Sequence, residues 1–233
     1  MSISPEAYAQ IAGLKVFPEE ALAQLVANAM ERSVARREVV LNKGDALPFV
    51  PFLVDGRLQG IDFTLDGREV GLYFVGPGDF VGELSVVDRL PLAETVIALA
   101  PSRLLLFPKE QTRALMFSSP DMSEKVTRRL AARLRAVGGQ RLLLALPSPM
   151  QRVCAQLVQL VEEGCIDGGG GVQVIPAAPT HQEIAIMINA SRETVTRAFL
   201  QLQNREILRR DRNQLLVLDM KQLEQIAWQG DGA

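Results

Sequence analysis

The sequence predicts an α+β protein in which a β-rich roll, a long helix and a small helical domain follow one another along the chain. Three observations carry that expectation. Glycine-punctuated β-type runs fill the stretch from Arg37 to Phe107, a helical stripe returns after Pro108, and two short capped segments with a β hairpin behind them begin at Thr180. At 233 residues the chain has room for two compact domains. Its 48% hydrophobic and 22% charged residues are ordinary for a soluble globular protein.

In chain order, "SPEAYAQIAGL" and "FPEEALAQLVANAMERS" predict two helices. Pro18 suits a helix start, and Leu22, Leu25 and Val26 keep a period of about 3.6 residues. The stretch from Arg37 to Phe107 then breaks into short β runs such as "REVVLNKGD" and "ETVIALAPSRLLLF". Asp55-Gly56 and Asp66-Gly67 are tight-turn dipeptides between apolar runs. Strands this short and numerous fit a sandwich or jelly roll better than a parallel sheet.

After Pro108, "PDMSEKVTRRLAARLRAVGGQRLLLAL" sets Val126, Leu130, Leu134 and Val137 on one stripe, with a basic face opposite. A long helix with a narrow apolar seam suits pairing with a second copy of itself; the alternative is packing on its own domain. Pro147 and Pro149 mark a boundary, and "SPMQRVCAQLVQLVEEG" reads as one more helix. The run "DGGGG" at 167–171 has no Lys-Ser/Thr after it, so it reads as a loose connection rather than a phosphate cradle.

Several function classes are excluded or weakened at this level. The first residues lack the basic start and apolar stretch of a secretion signal, and the apolar run from Leu142 to Leu146 is far too short to span a bilayer. Cys154 and Cys165 form neither a disulfide framework nor a spaced metal cluster, which fits a reducing cytoplasm. The net charge of −2 argues against a general polyanion coat. Yet Lys125, Arg128, Arg129, Arg133, Arg135 and Arg141 stand together with no acid among them, so local nucleic-acid contacts stay open.

The segment "PTHQEIAIMINASRETVTRAFLQLQNREIL" is the most informative. Thr180 and Glu183 form a capping box, after which Ile184, Met187 and Ile188 share one helical face. Asn189-Ala190 make a short break, with Asn suited to a left-handed exit, and Ser191 caps the next helix. There Val195, Ala198, Phe199 and Leu202 gather on one side, while Glu193 and Arg197 fall opposite and Arg192 projects from the first turn. This is the pattern of a helix-turn-helix, and "EILRRDRNQLLVLD" follows as a two-stranded wing turning near Arg212-Asn213. Arginine can donate twice to guanine, and glutamate can accept from cytosine, so Arg192, Glu193 and Arg197 are candidate base readers. A merely solvated helix face would accept the same residues. Thr180, Ser191 and Thr194 are candidates for phosphates through hydroxyls and free amides. The single histidine, His181, is read as a further phosphate contact rather than a metal or haem ligand.

On these residues the chain resembles the cAMP receptor protein/FNR family of bacterial transcription regulators. "SRETVTR" is similar to the catabolite regulator's recognition helix, and "GDFVGEL" at 78–84 to the signature of a cyclic-nucleotide-binding jelly roll. The spacing of Gly44, Gly56, Gly67, Gly78 and Gly82 also fits that roll. The resemblance implies a sensor domain over 1–117, a dimerisation helix over 118–146 and a winged helix-turn-helix DNA-binding domain over 147–233. It also implies a cytoplasmic homodimer that reads a TGTGA-like inverted repeat in double-stranded DNA and contacts RNA polymerase. A small-molecule effector is possible.

The resemblance is incomplete at the candidate effector pocket, which comprises Gly82, Glu83, Leu84, Arg89, Leu92, Ala93, Val137 and Gly138. Glu83 stands where cAMP-binding members hold the ribose, or else it is a buried structural carboxylate. Where those members carry Arg-Ser for the cyclic phosphate, this chain offers Leu92-Ala93, or Ala93-Glu94 after a one-residue shift. The missing charge-assisted partner is worth roughly 2–5 kcal/mol, and Arg89 is the one nearby cation that could substitute. Val137-Gly138 replaces the Thr-Ser pair expected to hold adenine, and the two glycines in that helix cost about 1 kcal/mol each relative to alanine. The expectation is therefore that cAMP is not bound in the usual way; the effector is another small molecule, another cyclic nucleotide, or absent. No haem, iron–sulfur cluster or metal is expected, since there are two cysteines and one histidine in the chain. That composition also weakens a jelly-roll metalloenzyme, so the chain is expected not to be an enzyme. The remaining alternative is a ligand-responsive interaction module with little sequence-specific DNA binding.

Overall fold

The computed structural model describes residues 23, 25–176, 178–212 and 214–230, apart from the Glu163 side chain. The helices expected before Ala23 lie outside the described residues. The chain divides into two compact units at Leu134/Arg135, inside one long helix.

Two antiparallel sheets form the roll of the first unit. One has the order β1 (Met30–Val34), β7 (Ser102–Pro108), β3 (Phe49–Asp55); the other runs β2 (Val39–Leu41), β6 (Thr95–Ala98), β4 (Leu58–Phe63), β5 (Glu69–Val75). α1 (Glu83–Asp88) follows β5, α2 (Lys109–Met116) follows β7, and the long α3 (Pro120–Leu144) comes directly after α2. Burial on both faces explains why β3 and β7 are nearly continuous apolar runs. Val34, Leu53 and Leu104 point between the sheets, toward Leu58, Val75 and Val96. Phe52, Leu105 and Phe107 point the other way, toward Val86, Met116 and Val126 of the helices. Fully burying such a side chain stabilises by about 1.5–3 kcal/mol.

Met30–Val34 corrects the sequence reading, which continued the preceding helix to Ser33. The segment pairs antiparallel with β7, from Met30 opposite Leu106 to Val34 opposite Ser102. Ladder hydrogen bonds and burial of Val34 outweigh the local helical preference. The short α1 was likewise hidden within a stretch read as β-rich. Of the two turn dipeptides, Asp66-Gly67 closes the β4–β5 hairpin, whereas Asp55-Gly56 carries the chain from one sheet to the other.

Gly60 on β4 has a positional reason. A Cβ there would lie 2.4 Å from the Tyr73 ring, so only a bare backbone lets that ring cross the strand.

In the second unit, α4 (Pro149–Gly164) begins with a capping box between Ser148 and Gln151. Its buried face, including Val153, Leu157 and Val161, packs against α7 (Met220–Gln229) and α6 (Arg192–Asn204). The remaining helix, α5 (His181–Met187), lies against α6. The sequence predicted a two-stranded wing, but the sheet has four strands. β10 (Leu208–Asp211) and β11 (Gln214–Val217) are extended by β9 (Gln173–Ile175) and β8 (Ile166–Asp167). The glycine run is therefore no loose connection. It forms the β8–β9 turn, with Gly169, Gly170 and Gly171 all at positive φ.

Candidate nucleic-acid interface and sensor site

Local chemistry fixes the α5–α6 pair. Glu183 N donates to Thr180 Oγ1 at 3.3 Å, and Thr180 N donates to Glu183 Oε2 at 3.0 Å. Asn189 takes the left-handed exit at φ 52°, and Ala190 N donates back to Ala185 O at 3.0 Å. Ser191 Oγ then accepts from Thr194 N at 3.2 Å and caps α6. Val195, Ala198, Phe199 and Leu202 are buried, which turns Arg192, Glu193 and Arg197 to solvent. All three candidate base readers thus share the exposed face of one helix.

The candidate phosphate contacts surround the start of that face. Ser191 Oγ and Thr194 Oγ1 are 3.0 Å apart, and Arg197 Nη2 reaches Thr194 Oγ1 at 3.5 Å. The free amide at the helix start and then the Ser191 hydroxyl hold the Glu193 carboxyl below the usual carboxylate range. Glu193 is therefore an ionised acceptor at neutral pH, which is the form that can take a hydrogen bond from cytosine N4. His181 is half-buried: Nδ1 lies 3.0 Å from Thr196 Oγ1 and the ring packs on Phe199 with centroids 4.4 Å apart. Burial first, then Arg210 and Arg192, push the imidazole below its ordinary value.

The other candidate site is in the first unit. Gly82 opens α1 at φ 84°, and a Cβ there would meet Leu47 at 2.8 Å. Glu83, next in line, is carried inward and buried, and Leu92 lies over Gly82. Leu84, Arg89 and Ala93 are exposed, with Arg89 in a left-handed turn at the end of α1. The guanidinium beside Glu83 comes from elsewhere, which corrects the expectation that Arg89 is the nearby cation. Arg133 of α3 brings Nη1 to 2.9 Å from Glu83 Oε1 and Nη2 to 3.9 Å from Glu94 Oε1. Its guanidinium stacks 3.5 Å over the Tyr73 ring, whose hydroxyl donates to Glu94 Oε1 at 2.6 Å. One turn earlier Arg129 pairs with Asp79, covers the Phe80 ring at 3.9 Å and donates to Phe80 O at 3.0 Å.

Two carboxylates, a phenol and one guanidinium thus form a closed set. Burial pushes the Tyr73 phenol up, so it stays a donor to Glu94. Burial also pushes the Glu83 carboxyl up, with Arg133 and then Arg129 pulling it back. Glu83 lies within ion-pair distance of Arg133, yet neither of its oxygens has an aligned hydrogen bond, nor does the buried Ser85 Oγ. Sequence reasoning missed Arg133, Tyr73 and Arg129. The available signal was the spacing of Arg129 and Arg133 by four, which puts both on one helix face. The last two candidate pocket residues, Val137 and Gly138, are exposed on α3 in the second unit.

The apolar stripe of α3 has two fates. Val126 is buried and Leu130 packs against the roll core, but Leu134 is 74% and Val137 57% exposed. Among the described residues no helix is long and apolar enough to cross a membrane, and no His/Cys/Asp/Glu group is placed to hold a metal ion.

A β roll followed by a winged helix-turn-helix with an outward Arg-Glu-Arg face defines a DNA-binding regulator. Residues 31–119 match the cyclic nucleotide-binding domain and residues 151–226 the Crp-like helix-turn-helix domain. The chain is 31% identical over 152 residues to the CRP-like cAMP-activated global transcriptional regulator of Mycobacterium tuberculosis, covering 65% of this chain and 67% of that one. It is 27% identical to the cyclic AMP receptor protein of Thermus thermophilus over 81% of this chain and 84% of that one. Its fold matches FixK2 from Bradyrhizobium japonicum with a TM-score of 0.72 at 22% identity, over 84% of this chain and 96% of that one. The chain belongs to the Crp/Fnr family. It is a DNA-binding transcription regulator and not an enzyme.

Proposed function

We propose that this regulator works in the cytoplasm as a homodimer reading a TGTGA-like inverted repeat, with Arg192, Glu193 and Arg197 of each copy at base edges. The observation that carries this reading is their common exposure on α6, above a buried Val195–Phe199 face. Thr180, His181, Ser191 and Thr194 serve the flanking phosphates. Residues 1–117 act as the sensor, 118–146 as the dimerisation helix and 147–233 as the DNA-binding domain, and the regulator contacts RNA polymerase. The exposed Leu134 and Val137 support the dimer, since a second copy's helix would remove them from water.

The sensor does not take cAMP in the usual way. A cyclic phosphate would arrive beside Leu92, Ala93 and Glu94, where the Arg133 guanidinium is already engaged by Glu83 and Glu94. An effector acts by binding one arrangement of the dimer better than another; if there is none, the internal Arg133 set holds the sensor by itself. The test is a pair of titrations. Fluorescence anisotropy with an inverted-repeat duplex and a scrambled one measures base reading, and calorimetry with cAMP, cyclic GMP and cyclic di-GMP measures the sensor. Equal affinity for both duplexes would leave a ligand-responsive interaction module. Tight cAMP binding would refute the reading of the pocket.

A further inference from the structure

We propose that His181 is a proton-gated site for a DNA backbone phosphate, so that each copy of the chain takes up a proton at this imidazole when it binds DNA. The inference rests on the DNA-binding reading and adds a linkage to it. Its basis is the hydrogen-bond order around Thr196. Thr196 Oγ1 lies 2.9 Å from the carbonyl oxygen of Arg192, and a carbonyl only accepts. The hydroxyl hydrogen is committed there. His181 Nδ1, 3.0 Å from the same oxygen, must then be the donor. Nδ1 carries the hydrogen, and Nε2 has no protein partner among the described residues.

The state of Nε2 decides what the ring can bind. In the neutral imidazole Nε2 is a lone pair, which repels a phosphate oxygen; in the cation it is an N–H donor with a charge behind it. Rotating the ring does not avoid the choice. A half-turn would put a carbon against Thr196 Oγ1 and lose that bond, and the ring face is already packed on the buried Phe199.

Among the described residues the charged groups acting on the ring are Arg210 from β10 and Arg192 from α6, and no acid offsets them. Both disfavour a second positive charge, and desolvation adds to them, so the free protein holds the ring neutral at neutral pH. A phosphate beside the three groups reverses the balance by screening the two guanidiniums and pairing with the imidazolium. The folded, free ring therefore titrates low and the DNA-bound ring titrates higher. Between those two points affinity falls as pH rises, by up to about tenfold per pH unit for each proton taken up.

The experiment uses the full chain and the inverted-repeat duplex at fixed ionic strength. Kd is measured by anisotropy from about pH 5.5 to about pH 8, the range over which a histidine titrates. The wild type is compared with His181→Gln, whose amide reaches the Nε2 position and offers a donor there without titrating, and with His181→Arg, which is always charged. The expected result is a steeper loss of affinity with pH for the wild type than for either variant. The difference corresponds to about one proton per subunit, and His181→Arg stays tight at the alkaline end. A scrambled duplex should show the same linkage, because phosphates carry no sequence. Calorimetry of the wild type in two buffers of different ionisation enthalpy counts the protons without any variant. Identical slopes for the wild type and His181→Gln, or no buffer-dependent heat, would overturn the proton gate while leaving DNA binding intact. A wild type that binds neither duplex at any pH would overturn both.

Discussion

Arg133 Nη1 lies 2.9 Å from Glu83 Oε1, which ties the long helix to the first turn of α1 through a nearly fully buried carboxylate. The ion pair is reinforced by stacking on Tyr73 and by the second carboxylate of Glu94, so it behaves as a set rather than as an isolated pair. Such sets contribute little when intact but are costly to break, because the remaining charge is left buried alone.

Arg133→Met should therefore destabilise the first unit by about 2–4 kcal/mol, a little below the figure for a fully enclosed pair because Arg133 keeps 21% side-chain exposure. Urea unfolding followed by circular dichroism measures it. Adding Glu83→Gln should recover part of the loss, and strict additivity of the two losses would show that the residues do not interact.

The Glu83 carboxyl titrates above its ordinary value because of burial. The folded state therefore holds this proton to higher pH than the unfolded chain does. Stability from this group is fully present below the unfolded value and is lost as pH rises through the folded one. Unfolding free energies measured from about pH 4 to about pH 8 should show the wild type losing ground against Glu83→Gln as pH rises. A pH-independent difference would mean that Glu83 is already ionised at the acid end.

Arg197→Ala should cost about 1–3 kcal/mol on the inverted repeat and relax the preference at one base position. Competition binding against single-base variants of the duplex reads this out. A uniform loss on all sequences would place Arg197 on a phosphate instead.

Leu134→Asp together with Val137→Asp should leave the chain folded, since both side chains are more than half exposed in one copy. If the two residues line a seam between copies, sedimentation velocity will show a monomer where the wild type is a dimer. A dimer that persists would move the interface elsewhere.

The parts of this fold legible in the sequence were those written in neighbouring residues. Thr180-Glu183, Asn189 and Ser191 fix caps and an exit within a few positions of themselves, and the exposed face of α6 follows from counting around one helix. Long-range pairing was not legible. Met30–Ser33 continues a run that reads as helix, yet Met30–Val34 is a strand because β7 pairs with it. The two strands flanking the glycine run are too short to signal themselves until β11 offers a ladder to β9, and β9 in turn to β8. The same limit applies to the buried site around Glu83. Glu83 was found from a motif, but its cation was sought nearby in sequence at Arg89, and the guanidinium instead reaches it from a helix later in the chain.

Gly60 is silent in any inventory of charges, yet the placement of Tyr73 depends on it. One added methyl group on β4 would evict the aromatic ring, strip Glu94 of its phenol and remove the floor beneath Arg133. The shape and charge of this buried set can thus change through a single carbon atom, with every acid and base left in place.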